Sequence, residues 1–316
     1  MKIAVIGAGS WGTALAFTIS KNNKLTWWVR REKLAHQIRA KNRNTKYLTN
    51  CKLNTSKIKI TTNLEEAIIH SDLLIVAIPS NFLESVFTSF GNILDGKTIL
   101  STTKGVLPKM LITPQKFFNK ISNNIKYGVI SGPCHAEEIS QKKNSYLTIS
   151  SQTISFNSSF LKTFQTPFIN VKTSFDVLGS EYAAILKNIY AIMVGVSFGL
   201  GYGDNFLAVL ITASTNEMKR VLNHLDPKER VISQSAYLGD LLVTCYSLHS
   251  RNRKLGTAIG KGYSVENAIS ELSMVAEGYS ATASIFKIIK KMKILNEAPI
   301  IKSAYKILYL EKDPKK

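Results

Sequence analysis

Cysteine is scarce in this 316-residue chain, and what little there is excludes two classes at once. Cys51, Cys134 and Cys245 lie far apart and are odd in number, so neither a disulfide framework nor a thiolate metal site is expected. The five histidines form no H-x-x-x-H or similar spacing, which removes the commonest remaining metal motif, and no metal is expected. Long apolar runs are lacking too. Met1-Lys2 leads into the short run IAVIG, and later runs are broken by Lys, Asp or Gly, so neither a signal peptide nor a membrane span is read and the expected location is the cytoplasm. Internal repeats and low-complexity tracts are missing, which argues against a solenoid or a disordered linker. Acidic residues are few: 21 Asp and Glu face 41 Lys and Arg, a net charge of +20. The lysines are scattered, as in KNNK, KNRNTK and KIIKKMK, with no basic block. The excess therefore leans toward small anionic substrates and not toward nucleic acid.

Glycine, by contrast, is placed with purpose. The apolar stretch KIAVI reads as a strand and runs into GAGSWG, after which TALAFTISKN reads as a helix. This is G-x-G-x-x-G in its strand–turn–helix setting: Gly7 for the tight turn, Gly9 for close backbone approach to a pyrophosphate, Gly12 for helix–strand packing. The helix N-terminus beyond them favours phosphate. A second strand, Leu25–Val29, ends in Arg30 and Arg31, where an NAD-binding unit would carry an acid; two arginines suit a 2′-phosphate and favour NADPH over NADH. Glu32 stands close by and reads otherwise as a first-turn helix charge. Strand–helix alternation continues through KIKITTN, LEEAIIHS and DLLIVAIPS. KTILSTTKG places Lys104 at a strand end, either as a site cation or as a solvated loop lysine. YGVISGPCHAEEI leads from a strand through Gly132, Cys134, His135 and Ala136 into a helix. His135 there reads either as a base or as a capping group. YLTISS and PFINVKTS complete the sheet.

From Asp176 onward helical patterns replace strands, so the chain divides into a Rossmann-type α/β dinucleotide-binding domain over residues 1–175 and an all-α substrate domain over 176–316. SEYAAILKNIYAIMVG carries a single cation, Lys187, whose helix neighbours are Ala183, Ala184, Tyr190 and Ala191. It either snorkels to water or sits in a pocket as a proton donor. The next helices are read over NFLAVLITASTNEMKRVLNHL and ERVISQSAYLGDLLVTCYS. In the latter, Asp240 and Thr244 share a face, placed to hold a lysine ammonium or simply to form a surface pair. Ser250 can cap a helix, and Arg251 with Asn252 offers planar donors for a phosphate dianion. Glu277-Gly278 reads as an acidic loop before a helix.

In their order and spacing, GAGSWGTALA, STTKG, SGPCHAEE, LKNIYAI, GDLLVTCYSLHSRNR and AEGYSA make the chain resemble the bacterial NAD(P)-dependent glycerol-3-phosphate dehydrogenases over essentially its whole length. The resemblance implies reversible reduction of dihydroxyacetone phosphate to sn-glycerol 3-phosphate for phospholipid synthesis, with a homodimer as the expected assembly. It further implies Lys187 as the proton-transferring lysine, Lys104 as a second lysine at substrate and cofactor, and Asp240 and Thr244 as supports of Lys187. Ser250, Arg251 and Asn252 fall at the substrate phosphate; Gly132 and Cys134 lie at the substrate, where the family commonly has Ser in place of Cys134. Ser10, Trp11, Arg30, Ala136, Val275 and Glu277 fall at cofactor positions, with Arg251 beside them. The nearest rival is a ketopantoate or 3-hydroxy-acid reductase of the same two-domain shape, against which the phosphate-suited Ser-Arg-Asn speaks. A rival from another class, a cofactor-binding sensor or nucleic-acid-binding protein, requires a clustered basic stripe or missing lysines.

Overall fold

A computed structural model gives the fold and describes residues 1–272 and 276–315. The chain forms two compact units, one of Met1–Thr103 with Pro114–Val177, the other of Lys104–Thr113 with Leu178–Lys316. The short segment Lys104–Thr113, inside the stretch read as the first domain, thus packs with the helices.

In the first unit, runs of β-branched and apolar residues become eight strands: β1 (Ile3–Ile6), β2 (Leu25–Trp28), β3 (Ile58–Thr61), β4 (Leu73–Val76), β5 (Thr98–Ser101), β6 (Lys126–Ser131), β7 (Ser145–Ser151) and β8 (Ile169–Ser174). They form one sheet in the order β3-β2-β1-β4-β5-β6-β7-β8. All neighbours pair in parallel except β6 with β7. Every residue of β1 and β4 is buried, as expected of strands covered on both faces. The strand order reverses between β1 and β4, so a crevice opens at their carboxyl ends, the ligand side of such sheets. The helices of this unit are short: α1 (Ser10–Asn22), α2 (Glu32–Lys41), α3 (Leu64–Ile69), α4 (Leu83–Phe87), α5 (Gly91–Leu94), α6 (Pro114–Ile121), α7 (Ala136–Ser140) and α8 (Ser158–Lys162).

The second unit holds α9 (Val177–Gly199), α10 (Asp204–Leu225), α11 (Asp240–Tyr246), α12 (Arg251–Gly260), α13 (Val265–Ser270), α14 (Glu277–Lys291) and α15 (Pro299–Leu310). The α/β fold class followed by helices is therefore as the sequence reads. α9 is its axis. Ile185, Leu186 and Ile189 pack with Leu207 and Met218 of α10, Leu241 of α11, Ile285 of α14 and Ile301 of α15. Among the described helices, α9 is long and apolar enough to cross a membrane, and 89% of its most apolar stretch is buried inside the protein.

Two local readings change. ERVISQSAYLGDLLVTCYS is not one helix: residues 227–231 are irregular, a wide π-turn runs over Ser235–Gly239, and α11 begins at Asp240. The cause lies upstream. Arg230 folds back to donate to the Asp226 carbonyl (2.7 Å) and carboxylate (2.6 Å), closing the end of α10 instead of starting a new helix. Likewise Glu277 is the first residue of α14 and not part of a loop. An acid there suits the partial positive charge of a helix start.

α15 is anchored by a side chain that the sequence pattern does not reveal. Glu217, fully buried on α10, accepts the N–H groups of Ile300 (2.7 Å) and Ile301 (3.0 Å), two of the orphan donors at the start of α15. Burial lifts its carboxyl to about 7, while these N–H bonds, Arg220 and the neighbouring Tyr190 hydroxyl pull the other way.

Candidate active site

The first unit builds a phosphate cradle at the end of β1. Gly7 takes a φ of +116°, and a Cβ there would lie 2.5 Å from the Ala77 carbonyl oxygen, so glycine is required by both conformation and space. A Cβ on Gly12 would lie 2.2 Å from the Gly7 carbonyl oxygen, which is the close helix–strand approach the motif calls for. Gly9 differs: a Cβ there would meet nothing within 4 Å, so its backbone faces open space. α1 starts at Ser10 with no side-chain cap and no acid in its first turn. No acid in this turn opposes an anion at the helix start, and a dinucleotide pyrophosphate fits this cradle.

Three side chains hold the loop in shape. Trp27 Nε1 donates to the Gly7 carbonyl (2.8 Å), Asn44 Nδ2 to the Ala8 carbonyl (3.0 Å), and Thr13 Oγ1 to the Gly9 carbonyl (2.8 Å). Asn44 is fully buried and also donates to Thr13 (2.8 Å). Sequence reasoning missed Trp27 and Asn44. A tryptophan in a strand reads as core, and Asn44 stands in a polar stretch that reads as scattered charge.

Arg30 and Arg31 follow β2. Arg30 is exposed, its guanidinium 5.6 Å from the Phe82 ring centroid, and Arg31 is the N-cap of α2. Glu32, the acid nearest them, bonds Arg39 at 3.3 Å, and hydrogen bonds from Thr62 and Arg39 hold its carboxyl below the usual range. At the end of β6, Gly132 takes a φ of +107° and leads to Cys134, whose Sγ donates to the Gly132 carbonyl at 3.0 Å. Ala136 is the first residue of α7, with His135 as its N-cap. Trp11, in the first turn of α1, is half-buried.

The second unit gathers the charged residues. Lys187 and Asp240, 3% and 1% exposed, form a buried ion pair between α9 and α11. Lys187 does not snorkel; the carboxylate offsets part of what removing an ammonium from water costs. Thr244 Oγ1 donates to the Asp240 backbone carbonyl (2.6 Å), so it fixes the turn that carries Asp240 and does not itself bond Lys187 through that hydrogen. Ser250 caps α12 by accepting from Arg253 N (3.2 Å). The next two residues are exposed Arg251 and buried Asn252. Asn252 Oδ1 accepts the Gly278 N–H at 2.9 Å, which commits its oxygen and leaves the amide nitrogen as its outward donor. Glu277 stands within electrostatic reach of Arg251, Lys104 and Lys187, in decreasing order; burial lifts its carboxyl above the usual range and these three cations lower it. Val275 lies outside the described residues.

α9 and α12 meet with their backbones nearly touching. A Cβ on Gly195 would lie 2.2 Å from the Arg253 carbonyl oxygen, and one on Gly256 would lie 1.9 Å from that of Ile192. Gly199 and Gly260 repeat the contact one turn further on. At the start of α14, a Cβ on Gly278 would lie 2.6 Å from the Asn188 carbonyl oxygen. Backbone contact thereby sets the spacing of the helix positions beside Lys187, Asn252 and Glu277.

A glycine cradle at the switch point of a parallel sheet, followed by a helical unit with a buried lysine–carboxylate pair, defines a dinucleotide-dependent dehydrogenase. Family models described as the N-terminus and C-terminus of NAD-dependent glycerol-3-phosphate dehydrogenase match residues 2–157 and 176–316. A glycerol-3-phosphate dehydrogenase from Bacillus subtilis, named for NAD(P)+, is 34% identical over 98% of this chain and 90% of its own. One from Clostridium botulinum is 38% identical over 99% and 94%. The solved glycerol-3-phosphate dehydrogenase of Coxiella burnetii superposes with a TM-score of 0.93 at 29% identity, covering 99% of this chain and 96% of that one. The chain belongs to the NAD-dependent glycerol-3-phosphate dehydrogenases. A probable 2-dehydropantoate 2-reductase from Bacillus subtilis, at a TM-score of 0.59 and 15% identity, shares the fold alone.

Proposed function

We propose that the chain reduces dihydroxyacetone phosphate to sn-glycerol 3-phosphate, the backbone of glycerophospholipids, with NADPH and also NADH as reductant. The observation that carries this reading is the buried Lys187–Asp240 pair within the same helical unit as Arg251, Asn252 and Lys104. Residues 1–175 hold the dinucleotide through Gly7, Gly9, Ser10, Trp11 and Gly12, and residues 176–316 supply the proton and the phosphate grip. NADPH, when bound, supplies the hydride. Arg251 and Asn252 bind the substrate phosphate, with Ser250 setting the helix start they stand on, and that remote binding orients the carbonyl. Lys187 donates a proton to the carbonyl oxygen as negative charge develops there, and Lys104 adds a second positive charge. Asp240 holds the ammonium in place, and Thr244 holds Asp240. Gly132 and Cys134 approach the substrate through their backbone, because the Cys134 thiol is already turned onto the Gly132 carbonyl. Arg30 and Arg31 meet the 2′-phosphate of NADPH; Ala136, Val275 and Glu277 complete the cofactor contacts.

The test is oxidation of NADPH and NADH, followed at the usual nicotinamide absorbance, with dihydroxyacetone phosphate beside unphosphorylated dihydroxyacetone and ketopantoate. Fast turnover confined to the phosphorylated ketone is expected. Equal turnover of the unphosphorylated ketone removes the phosphate grip from the reading, and faster turnover of ketopantoate replaces the substrate.

The working form is a cytoplasmic homodimer. Support comes from the solvent face of α10: from Asn205 to Asn216 its exposed positions, including Phe206 and Val209, carry no charge, in a chain of net charge +20. A monomer mass by light scattering would refute that assembly.

A further inference from the structure

The helical unit contains a cavity of about 290 Å³ on the side of α12 that the proposed reaction leaves unused. Its charged lining is Arg253, Lys254 and Lys261 against a single acid, Glu271, and its apolar walls are Phe198 and Tyr263. The volume lies just below the roughly 300–1,000 Å³ usual for ligand sites, so a compact molecule fits and a nucleotide does not. Arg253 is held in place on two sides. Its guanidinium lies 4.9 Å from the Phe198 ring centroid, and Nη1 donates to the Tyr246 carbonyl at 2.5 Å. A cation stacked in this way is already ordered, so little freedom is lost when it meets a ligand. Its remaining N–H donors form a planar fork suited to phosphate. Two residues along a helix is a rotation of about 200°, so Arg253 points away from Arg251, and the cavity is separate from the substrate grip.

We propose that this cavity is an effector site for a small amphipathic phosphate, a phosphomonoester on a short apolar chain, whose occupancy weakens the substrate grip at the opposite face of α12. Phosphate meets Arg253 with Lys254 and Lys261, and the chain lies against Phe198 and Tyr263. Neither part suffices by itself. The phosphate without a tail gains only solvent-exposed charge contacts, and the tail without a phosphate leaves the cations uncompensated. The link to the substrate runs through Arg253. Its backbone N–H bonds the Ser250 hydroxyl, the cap on which Arg251 and Asn252 stand. Its side chain ties down the Tyr246 carbonyl at the end of α11. An anion bound at the remaining edge of the same guanidinium competes with the Tyr246 carbonyl for its charge, and so weakens the connection between α11 and α12 and loosens that first turn. The effect on substrate rests on Arg251 and Asn252 holding its phosphate; the binding does not.

Binding is measured by calorimetry on the intact protein without substrate, using octyl phosphate below its micelle concentration, octanol, inorganic phosphate, and vesicles of phosphatidylcholine with phosphatidic acid. The comparison variant carries Lys254→Glu and Lys261→Glu, two exposed positions outside the proposed catalytic machinery. Octyl phosphate is expected to bind at least about tenfold more tightly than octanol or phosphate, and about tenfold more weakly to the double variant. In turnover it should raise KM for dihydroxyacetone phosphate with kcat unchanged, in the parent and not in the variant. Octanol binding as tightly as octyl phosphate would reduce the cavity to an apolar surface. Displacement of octyl phosphate by dihydroxyacetone phosphate, with equal affinity in both proteins, would assign the binding to the substrate site. Binding of vesicles but not of free octyl phosphate would make the face a membrane contact. Binding with an unchanged KM would remove the effector role. Each of these overturns the proposal, and none bears on whether Lys187 and Arg251 act as proposed.

Discussion

Replacing Glu217 with Gln isolates a single buried proton. The carboxyl sits near 7 in the folded protein against an ordinary 4.5, chiefly because burial disfavours its charge. A group whose folded value is raised contributes stability that is complete below its unfolded value and is lost as pH rises through the folded one. For Glu217 that window runs from about pH 4.5 to about pH 7. At about 1.4 kcal/mol per pH unit, the loss across the window is roughly 3 kcal/mol. Gln cannot ionise, so it escapes this loss. It also sets an amide N–H₂ against the Ile300 or Ile301 N–H, a lost acceptor worth about 1–3 kcal/mol at every pH. The informative quantity is therefore a difference of differences. Urea unfolding of the parent and Glu217→Gln at pH 5 and at pH 8, read on the helical unit, should show the variant gaining about 2–3 kcal/mol relative to the parent between the two. The large background from a +20 chain cancels in the comparison. A parent-to-variant gap that stays constant from pH 5 to pH 8 would refute the reasoning, because Glu217 would then be ionised in the folded protein as it is in the unfolded chain.

Three further substitutions test the site and its frame. Lys187→Ala should leave NADPH binding nearly intact, as measured by quenching or calorimetry, and lower kcat by about 10²–10⁴-fold; a variant that keeps most of its rate removes Lys187 from the mechanism. Arg251→Ala should raise KM for dihydroxyacetone phosphate far more than it lowers kcat, and an unchanged dependence on substrate concentration contradicts the phosphate role. Gly256→Ala pushes a Cβ to within 1.9 Å of the Ile192 carbonyl oxygen, so α12 must shift away from α9. Overpacking of this kind costs about 1–3 kcal/mol, visible as a lowered Tm, and the shift should raise KM as well. A Tm and KM equal to the parent's would mean that the helix contact is loose.

What was legible in the sequence was local. The glycine pattern announces itself because all three glycines lie within six residues of the strand that precedes them, and Gly7 and Gly12 answer backbone demands that no other residue meets, while Gly9 leaves the open face of the cradle. Lys187 stands out because a lone cation in an apolar helix is conspicuous against its own neighbours. The features that escaped depend on distant partners. Asn44 reaches 36 residues back to Ala8, and Glu217 reaches 83 forward to Ile300. Neither acceptor nor donor leaves a mark near the other in the chain. The segment from Glu229 to Ser247 misled for a related reason. Its composition suits a helix, but Arg230 spends its hydrogen-bonding capacity on α10, a choice made by tertiary structure and not by propensity. Cys134 shows the same limit at the scale of one side chain. Its identity was visible as a departure from the family pattern, whereas its orientation toward Gly132 was not.

The backbone contact between α9 and α12 also makes the helical unit a gauge of length. Lys187 on one helix and the Arg251–Asn252 pair on the other are spaced by carbonyl oxygens and glycines that have no room to slide. In the proposed reaction, which sets Lys187 at the carbonyl and Arg251 at the phosphate, the span between the two ends of an acceptable substrate follows from that backbone spacing. A phosphorylated ketone one carbon longer would have to buckle to place both ends, and one carbon shorter could satisfy only one of them. Selection by chain length thus needs no dedicated specificity pocket; it follows from four glycines that forbid the calipers to open.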